Sequence, residues 1–259
     1  MPGPDDDLDL LTHVALRAGD IARQFFGQNP DVFDKGDEGP VTEADLAIDR
    51  MLNETLLGAR PHYGWLSEET ADGPDRLSAE HVFICDPIDG TRAFIEGGRS
   101  FAHSLSVVRH GVPVAAAVFL PMRDKLYTAA LGQGAHLNGE SVRVTNPAAL
   151  GDATILTTKA NMKAEHWPRG VPEFRKSYRP SLAYRMSLVG EGRFDAMMTL
   201  RPTWEWDIAA GALVISEAGG VVTDGQGAPL RLNNPHPQVP GILAGAPSVH
   251  GSLVDRRRA

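Results

Sequence analysis

The short β-rich run His81-Val82-Phe83-Ile84-Cys85 ends directly on Asp86-Pro87-Ile88-Asp89-Gly90-Thr91. An apolar run bounded by Asp, Pro and Gly reads as a core strand. Pro87 excludes a regular helix between the two aspartates, so both carboxylates can point into one site at the strand's end. The plain alternative is a turn, because Asp, Pro and Gly are turn formers in their own right.

Three further acidic segments share this look. Trp65-Leu66-Ser67-Glu68-Glu69 sets adjacent glutamates after an apolar run, which can equally be a solvated loop. Val41-Thr42-Glu43-Ala44-Asp45 has the spacing of a capping box, with Thr42 and Asp45 serving a helix start. In Trp206-Asp207-Ile208-Ala209-Ala210-Gly211, Asp207 is a candidate N-cap for the helix that follows. If the four segments converge, their carboxylates repel by about 4 kcal/mol per pair at 4 Å and an effective dielectric near 20. Bound cations resolve such a cluster. An all-oxygen donor set suits Mg²⁺ better than zinc or copper, and Gly90-Thr91 at a helix start would offer backbone N–H groups to an anion.

Around this centre the chain alternates in character. Leu8, Leu11, Val14, Ala15, Ala18, Ile21, Ala22 and Phe25 predict a helix over about 8 to 27, and a second runs from Thr42 to about Gly58. Segments 81–85, 104–109, 112–120 and 125–131 predict an antiparallel meander. Strands are expected over 153–158, near 177–182, 196–200 and 220–223, with helices over about 181–192 and 207–218. The fold class is therefore α/β, with an α+β N-terminal half (1–148) and an α/β C-terminal half (149–259), the composition shifting near Asn146 to Gly151.

Composition removes several function classes. Lys+Arg 25 against Asp+Glu 33 leaves a net charge of -8, which disfavours sequence-independent nucleic-acid binding. The terminal Arg256-Arg257-Arg258 reads as a solvated chain end. One cysteine, Cys85, excludes an intrachain disulfide framework and suits a reducing cytoplasm. The Asp5-Asp6-Asp7 start is unlike a secretory signal, and the most apolar stretch, Val112 to Met122, is too short to span a bilayer.

Taken in order, Lys35-x-Asp37-x-x-Pro40-Val41-Thr42-x-Ala44-Asp45, Ser67-Glu68-Glu69, Asp86-Pro87-Ile88-Asp89-Gly90-Thr91 and Trp206-Asp207-x-Ala209-Ala210-Gly211 resemble the Mg²⁺-dependent, lithium-sensitive phosphatases of the inositol monophosphatase type, over residues 8 to 245. The resemblance implies a layered αβαβα sandwich and two to three Mg²⁺ ions. Glu68, Asp86 and the Ile88 carbonyl would hold one ion. Asp86, Asp89 and Asp207 would hold a second, with Asp86 bridging, and a third, weaker ion would lie near Glu68. It further implies that Thr91, hydrogen-bonded by Asp45, acts with Glu68 on a cation-activated water, that the phosphate rests on the Gly90 and Thr91 amides, and that no covalent phosphoenzyme forms.

For the substrate, inositol-phosphate members carry a glutamate where this chain has Leu200. Pro180-Ser181-Leu182, Val189-Gly190-Glu191-Gly192 and Arg201-Pro202-Thr203-Trp204-Glu205-Trp206-Asp207 are similar to bacterial 3'(2'),5'-bisphosphate nucleotidases, although Ala183 replaces their usual Lys. Arg92-Ala93-Phe94-Ile95 is similar to histidinol-phosphate phosphatases. The expectation is therefore a phosphomonoesterase acting on 3'-phosphoadenosine 5'-phosphate, with histidinol phosphate or inositol 1-phosphate as the alternative. Lys35, Ser181, Arg185 and Arg201 are candidate substrate contacts; Trp204 and Trp206 read as core packing or as a platform for a base. A non-catalytic phosphate-binding protein on the same scaffold is the rival from another class. The partner expected is a small phosphate ester, without nucleic acid or membrane insertion, and a homodimer is compatible with the sequence.

Overall fold

The computed structural model describes residues 3–34, 36, 39–147 and 149–258. Helix α1 (Pro4–Phe25) starts a turn earlier than periodicity predicts. Pro4 opens it with a φ suited to a helix start, and Asp5, Asp6 and Asp7 lie in its first turn, where the helix dipole favours acids. A hairpin of β1 (Val32–Asp34) and β2 (Pro40–Thr42) feeds α2 (Glu43–Ala59). The large sheet follows: β3 (Gly64–Ser67), β4 (His81–Asp89), a short α3 (Thr91–Ile95), then β5 (Ala102–Arg109), β6 (Val112–Leu120), β7 (Lys125–Ala130), β8 (Ala135–Leu137) and β9 (Glu140–Val142). These seven strands lie side by side in chain order, antiparallel except for β3 against β4. The meander is as expected; the parallel edge strand β3 was not read from the sequence.

The second half holds β10 (Thr154–Leu156), β11 (Arg175–Ser177), α4 (Leu182–Gly190), β12 (Ala196–Thr199), β13 (Thr203–Trp204), α5 (Glu205–Glu217), β14 (Val221–Asp224), β15 (Gln238–Val239), β16 (Ile242–Gly245) and α6 (Pro247–Arg257). Its sheet runs β11-β10-β12-β16-β14, mixing parallel and antiparallel pairs. The strand expected near 177–182 ends at Ser177, because Pro180 interrupts the run and Ser181 caps α4 through the Tyr184 N–H.

Strand alternation builds the layers. Along β6, Ala115, Ala117 and Phe119 pack with Leu11, Val14, Ile48 and Leu52 of α1 and α2, whereas Ala116, Val118 and Leu120 pack with Met186, Leu188, Ile208 and Leu213 of α4 and α5. Met197 and Ala244 of the small sheet join that second cluster, and Met198 and Leu243 face Val249 and Leu253 of α6. The order is thus helices, large sheet, helices, small sheet, helix. The central α5 is apolar on nearly every side because it sits between sheets, and it approaches α4 so closely that a Cβ on Gly211 would lie 2.5 Å from Met186.

The C-terminal arginines depart from expectation. Arg256 and Arg257 complete α6, and Arg257 lies over the Trp167 ring and donates to the Gly225 and His166 carbonyls. Cations in a last turn face the free carbonyl end of the helix, so this end is built in rather than frayed. Among the described residues, no helix is long and apolar enough to cross a membrane.

Candidate active site

Two residues separated by three positions in a regular strand face opposite sides of a sheet. In β4, Asp86 pairs with Ser104 but Asp89 pairs with Ala102, so three steps on one strand match two on the other. This β-bulge at Pro87-Ile88 turns both aspartates into one site. Pro87 has no N–H to lose from the ladder, which makes it a suitable bulge residue. The turn alternative therefore gives way to a strand that runs through the motif and ends at Gly90, whose φ of 102° lies in the left-handed region and releases α3.

Three elements deliver four acids to this bulge. Asp86 and Asp89 come from β4, Glu68 follows β3, and Asp207 lies in the first turn of α5. Asp207 is not the N-cap; Trp204 holds that place, because β13 runs straight into the helix. The N-capping reading of Asp207 thus fails, leaving its carboxylate for the cleft. Carboxylate oxygens of Asp86, Asp89 and Asp207 lie within 4.8 Å of one another, a set that could hold a metal ion. Asp86 is buried and, among the described residues, neither oxygen meets an N–H or a hydroxyl. Burial first, then the charges of Glu68, Asp89 and Asp207, push its carboxyl well above the usual range. Asp207 is raised well above it by burial and by Asp89 and Glu68, with Arg201 opposing. Asp89 is also raised by burial, although its Oδ2 accepts from Ser181 Oγ at 2.6 Å and the Ala183 N–H at 2.6 Å, at the start of α4, and Arg185 opposes the rise. A cluster of acids with an orphaned, buried carboxylate at its centre fits a hard, oxygen-seeking dication.

Asp45 performs both roles that its segment suggested. Its Oδ2 takes the Thr42 N–H at 2.9 Å, closing a capping box on α2, and its Oδ1 lies 3.4 Å from Thr91 Oγ. That hydroxyl also lies 3.1 Å from the Ile88 carbonyl, so its single proton serves one acceptor at a time.

The acids open into a cleft of about 850 Å³ that reaches Gly90, Thr91, Leu182, Arg185, Arg201 and Trp206. The candidate substrate contacts divide by how they are already engaged. Ser181 donates to Asp89 and caps α4, so its hydroxyl is committed to the protein. Arg185 is buried, stacks 4.5 Å over the Tyr178 ring and donates to the Arg179 and Pro180 carbonyls, clamping the segment that precedes α4. Arg201 is exposed on the cleft wall. Lys35 lies outside the described residues. Trp204 and Trp206 stack on each other with ring centroids 4.6 Å apart, and both line the cleft.

Sequence reasoning missed the supporting residues. His103 is fully buried and its Nδ1 lies 2.5 Å from the Pro87 carbonyl, holding the bulge from behind; burial depresses its pKa to about 4, so the neutral ring donates from Nδ1. Glu205 is fully buried and accepts the Asn233 and Asn234 N–H groups at 2.6 and 2.9 Å, pinning a loop against the start of α5. Neither residue has a sequence pattern of its own; each is recognisable only through a partner far away in the chain.

Known proteins are similar to this chain in sequence and in fold. The chain is 37% identical to the inositol-1-monophosphatase of Rhizobium meliloti (strain 1021), over 85% of this chain and 86% of that protein. It is 31% identical to the Nus factor SuhB of Escherichia coli (strain K12), covering 97% and 95%. The solved Thermotoga maritima IMPase superposes with a TM-score of 0.84 at 28% identity, covering 96% of each chain. Residues 5–258 match the inositol monophosphatase family, and with that span and these relatives the chain belongs to it, a family of phosphatases that hydrolyse phosphate monoesters.

Proposed function

We propose that this protein is a Mg²⁺-dependent phosphatase of inositol 1-phosphate or a closely similar polyol monophosphate. The observation that carries the reading is the buried Asp86 carboxylate, without an N–H or hydroxyl donor among the described residues and ringed by Glu68, Asp89 and Asp207. Asp86, Asp89 and Asp207 would hold one ion, with Asp86 shared by a second held by Glu68 and the Ile88 carbonyl. Bound there, magnesium supplies positive charge for the phosphoryl oxygens and lowers the pKa of a water. The chain's own contribution is placement. Asp45 and the Ile88 carbonyl orient the Thr91 hydroxyl, Glu68 would act with it on the water, and the first backbone N–H groups of α3, whose Thr91, Arg92 and Ala93 line the cleft, would be the phosphate donors.

The polyol reading is supported by the inositol-1-monophosphatase name of the Rhizobium relative and replaces the nucleotide preference that the Arg201-to-Asp207 segment suggests. A second reading keeps one specific observation: Arg201 and the Trp204–Trp206 stack border the cleft, a charge and an aromatic wall that suit a nucleotide carrying a second phosphate. Phosphate release from inositol 1-phosphate, 3'-phosphoadenosine 5'-phosphate and histidinol phosphate, each with Mg²⁺ and with or without lithium, decides between them. A kcat/KM at least tenfold higher for inositol 1-phosphate supports the main reading; a hundredfold preference for the nucleotide overturns it. In the same assay Asp89→Asn should nearly abolish turnover, and activity within tenfold of the parent would remove Asp89 from the site.

A further inference from the structure

We propose that Asp49 is a positioning residue for Glu68, its single carboxylate clamping the two hydroxyls that flank the glutamate pair. This rests on the reading of Glu68 as a cation ligand. Asp49 lies one helical turn beyond Asp45 in α2, so the two acids share a helix face. Asp45 reaches Thr42 and Thr91; Asp49 reaches the hydroxyls on either side of Glu68 and Glu69. Its Oδ1 accepts Ser67 Oγ at 2.5 Å and its Oδ2 accepts Thr70 Oγ1 at 2.5 Å. Ser67 ends β3 and Thr70 lies three residues on, so Glu68 and Glu69 occupy an arch whose two feet stand on one side chain. The arch is also tied to β4, because the Glu68 N–H donates to the Cys85 carbonyl at 3.3 Å, beside Asp86.

The chemistry of the clamp explains the residue type. A carboxylate is acceptor-only and has two oxygens, so it takes one hydroxyl proton on each and bridges both feet in fixed register. An amide offers one acceptor oxygen and a donor nitrogen, so one hydroxyl would have to turn round and accept. Asp49 and Ser67 are buried, 8% and 3% exposed, so water is a poor substitute for either partner. Groups that orient metal ligands typically alter metal affinity 10- to 100-fold when removed.

The test is Mg²⁺ titration of the metal-free full chain by calorimetry, with circular dichroism as the check on folding. Asp49→Ala should weaken Mg²⁺ binding about tenfold or more, Asp49→Asn less, and the Ser67→Ala/Thr70→Val pair should reproduce the Asp49→Ala loss. Adding Asp49→Ala to that pair should cost no further affinity, since the clamp is already open. A residue that merely packs α2 would lower the melting temperature and leave the Mg²⁺ Kd alone. Folded Asp49→Ala binding Mg²⁺ within twofold of the parent overturns the proposal; if that variant does not fold, the Ser67→Ala/Thr70→Val pair decides by the same criterion. Glu68→Gln is the control. If it leaves Mg²⁺ binding unchanged, the reading of Glu68 as a ligand fails and the clamp with it. If it weakens binding while the Asp49 and hydroxyl variants do not, the clamp alone fails.

Discussion

Replacing Asp86 by Asn should stabilise the metal-free protein and remove its response to magnesium. Carboxylate oxygens of Asp86, Asp89 and Asp207 lie within 4.8 Å of one another, and at that distance a pair of full charges repels by about 3 kcal/mol at an effective dielectric near 20. Burial raises Asp86, Asp89 and Asp207, and the neighbouring acids raise Asp86 and Asp207 further, so without a cation the fold relieves the cluster by binding protons. The sign follows from linkage. A carboxyl raised in the folded state favours folding below its unfolded pKa, and that contribution is lost as pH climbs through the folded value. The metal-free parent should therefore lose stability as pH rises above about 4, whereas Asp86→Asn, shape-conserving and uncharged, should lose less. At pH 8 in chelator the variant should be more stable by about 3 kcal/mol, roughly 6–12 °C in melting temperature for a chain of this size. Magnesium at 100 times its Kd should add about 2.7 kcal/mol to the parent and little to the variant, so the order of stabilities converges or reverses. Differential scanning calorimetry of both proteins with chelator and with Mg²⁺, at pH 5 and pH 8, reads the stabilities under all four conditions. A variant less stable than the parent in chelator at pH 8, or one that magnesium stabilises as strongly as the parent, would refute the reasoning.

Three other outcomes follow from single residues. Thr91→Val should lower kcat by about a hundredfold or more while Thr91→Ser retains most of it, because the hydroxyl proton and not the methyl meets Asp45 and the Ile88 carbonyl; steady-state kinetics checks both. His103, depressed from 6.5 to about 4 by burial, should withdraw up to about 3 kcal/mol of stability as pH falls from 6.5 to 4. Urea titrations at pH 7 and pH 4.5 should show that part of the acid loss missing in His103→Phe, and an undiminished loss would assign it elsewhere. Gly90→Ala places a Cβ on a left-handed residue, 3.5 Å from Phe101 and Ser181, and should cost about 1–2 kcal/mol in a chemical-denaturation midpoint.

Much of the fold was legible because its signals are local. Apolar spacing marked α1 and α2, β-rich runs joined by turns marked the meander, and the capping box from Thr42 to Asp45 is present as spaced. Strand β3 escaped because four residues, Gly64 to Ser67, carry too little alternation to separate from a loop, and what makes them a strand is the parallel pairing with Val82 to Cys85. Helix α6 escaped for a similar reason: the apolar face of Val249, Leu253 and Val254 is short and flanked by charge, and Trp167 and the small sheet complete its burial.

The site divides along the same line, and the bulge shows why. Acidic residues are written into the sequence, but which of them share a site depends on a register shift that pairs Asp86 with Ser104 and Asp89 with Ala102. A regular β4 would send one aspartate to the face occupied by α1 and α2, where Phe83 and Leu105 pack with Ile48 and Leu52. An unpaired carboxylate among those side chains would cost several kcal/mol, so the apolar packing on that face selects the bulged register. His103 then holds the Pro87 carbonyl from inside the same layer, and α2, lying on that face, sends Asp45 to Thr91 and Asp49 to the hydroxyls beside Glu68. The packing that makes the large sheet stable is thus also what aims the acids, and a substitution in this apolar layer that relaxed the bulge would disarm the site without touching an acidic residue.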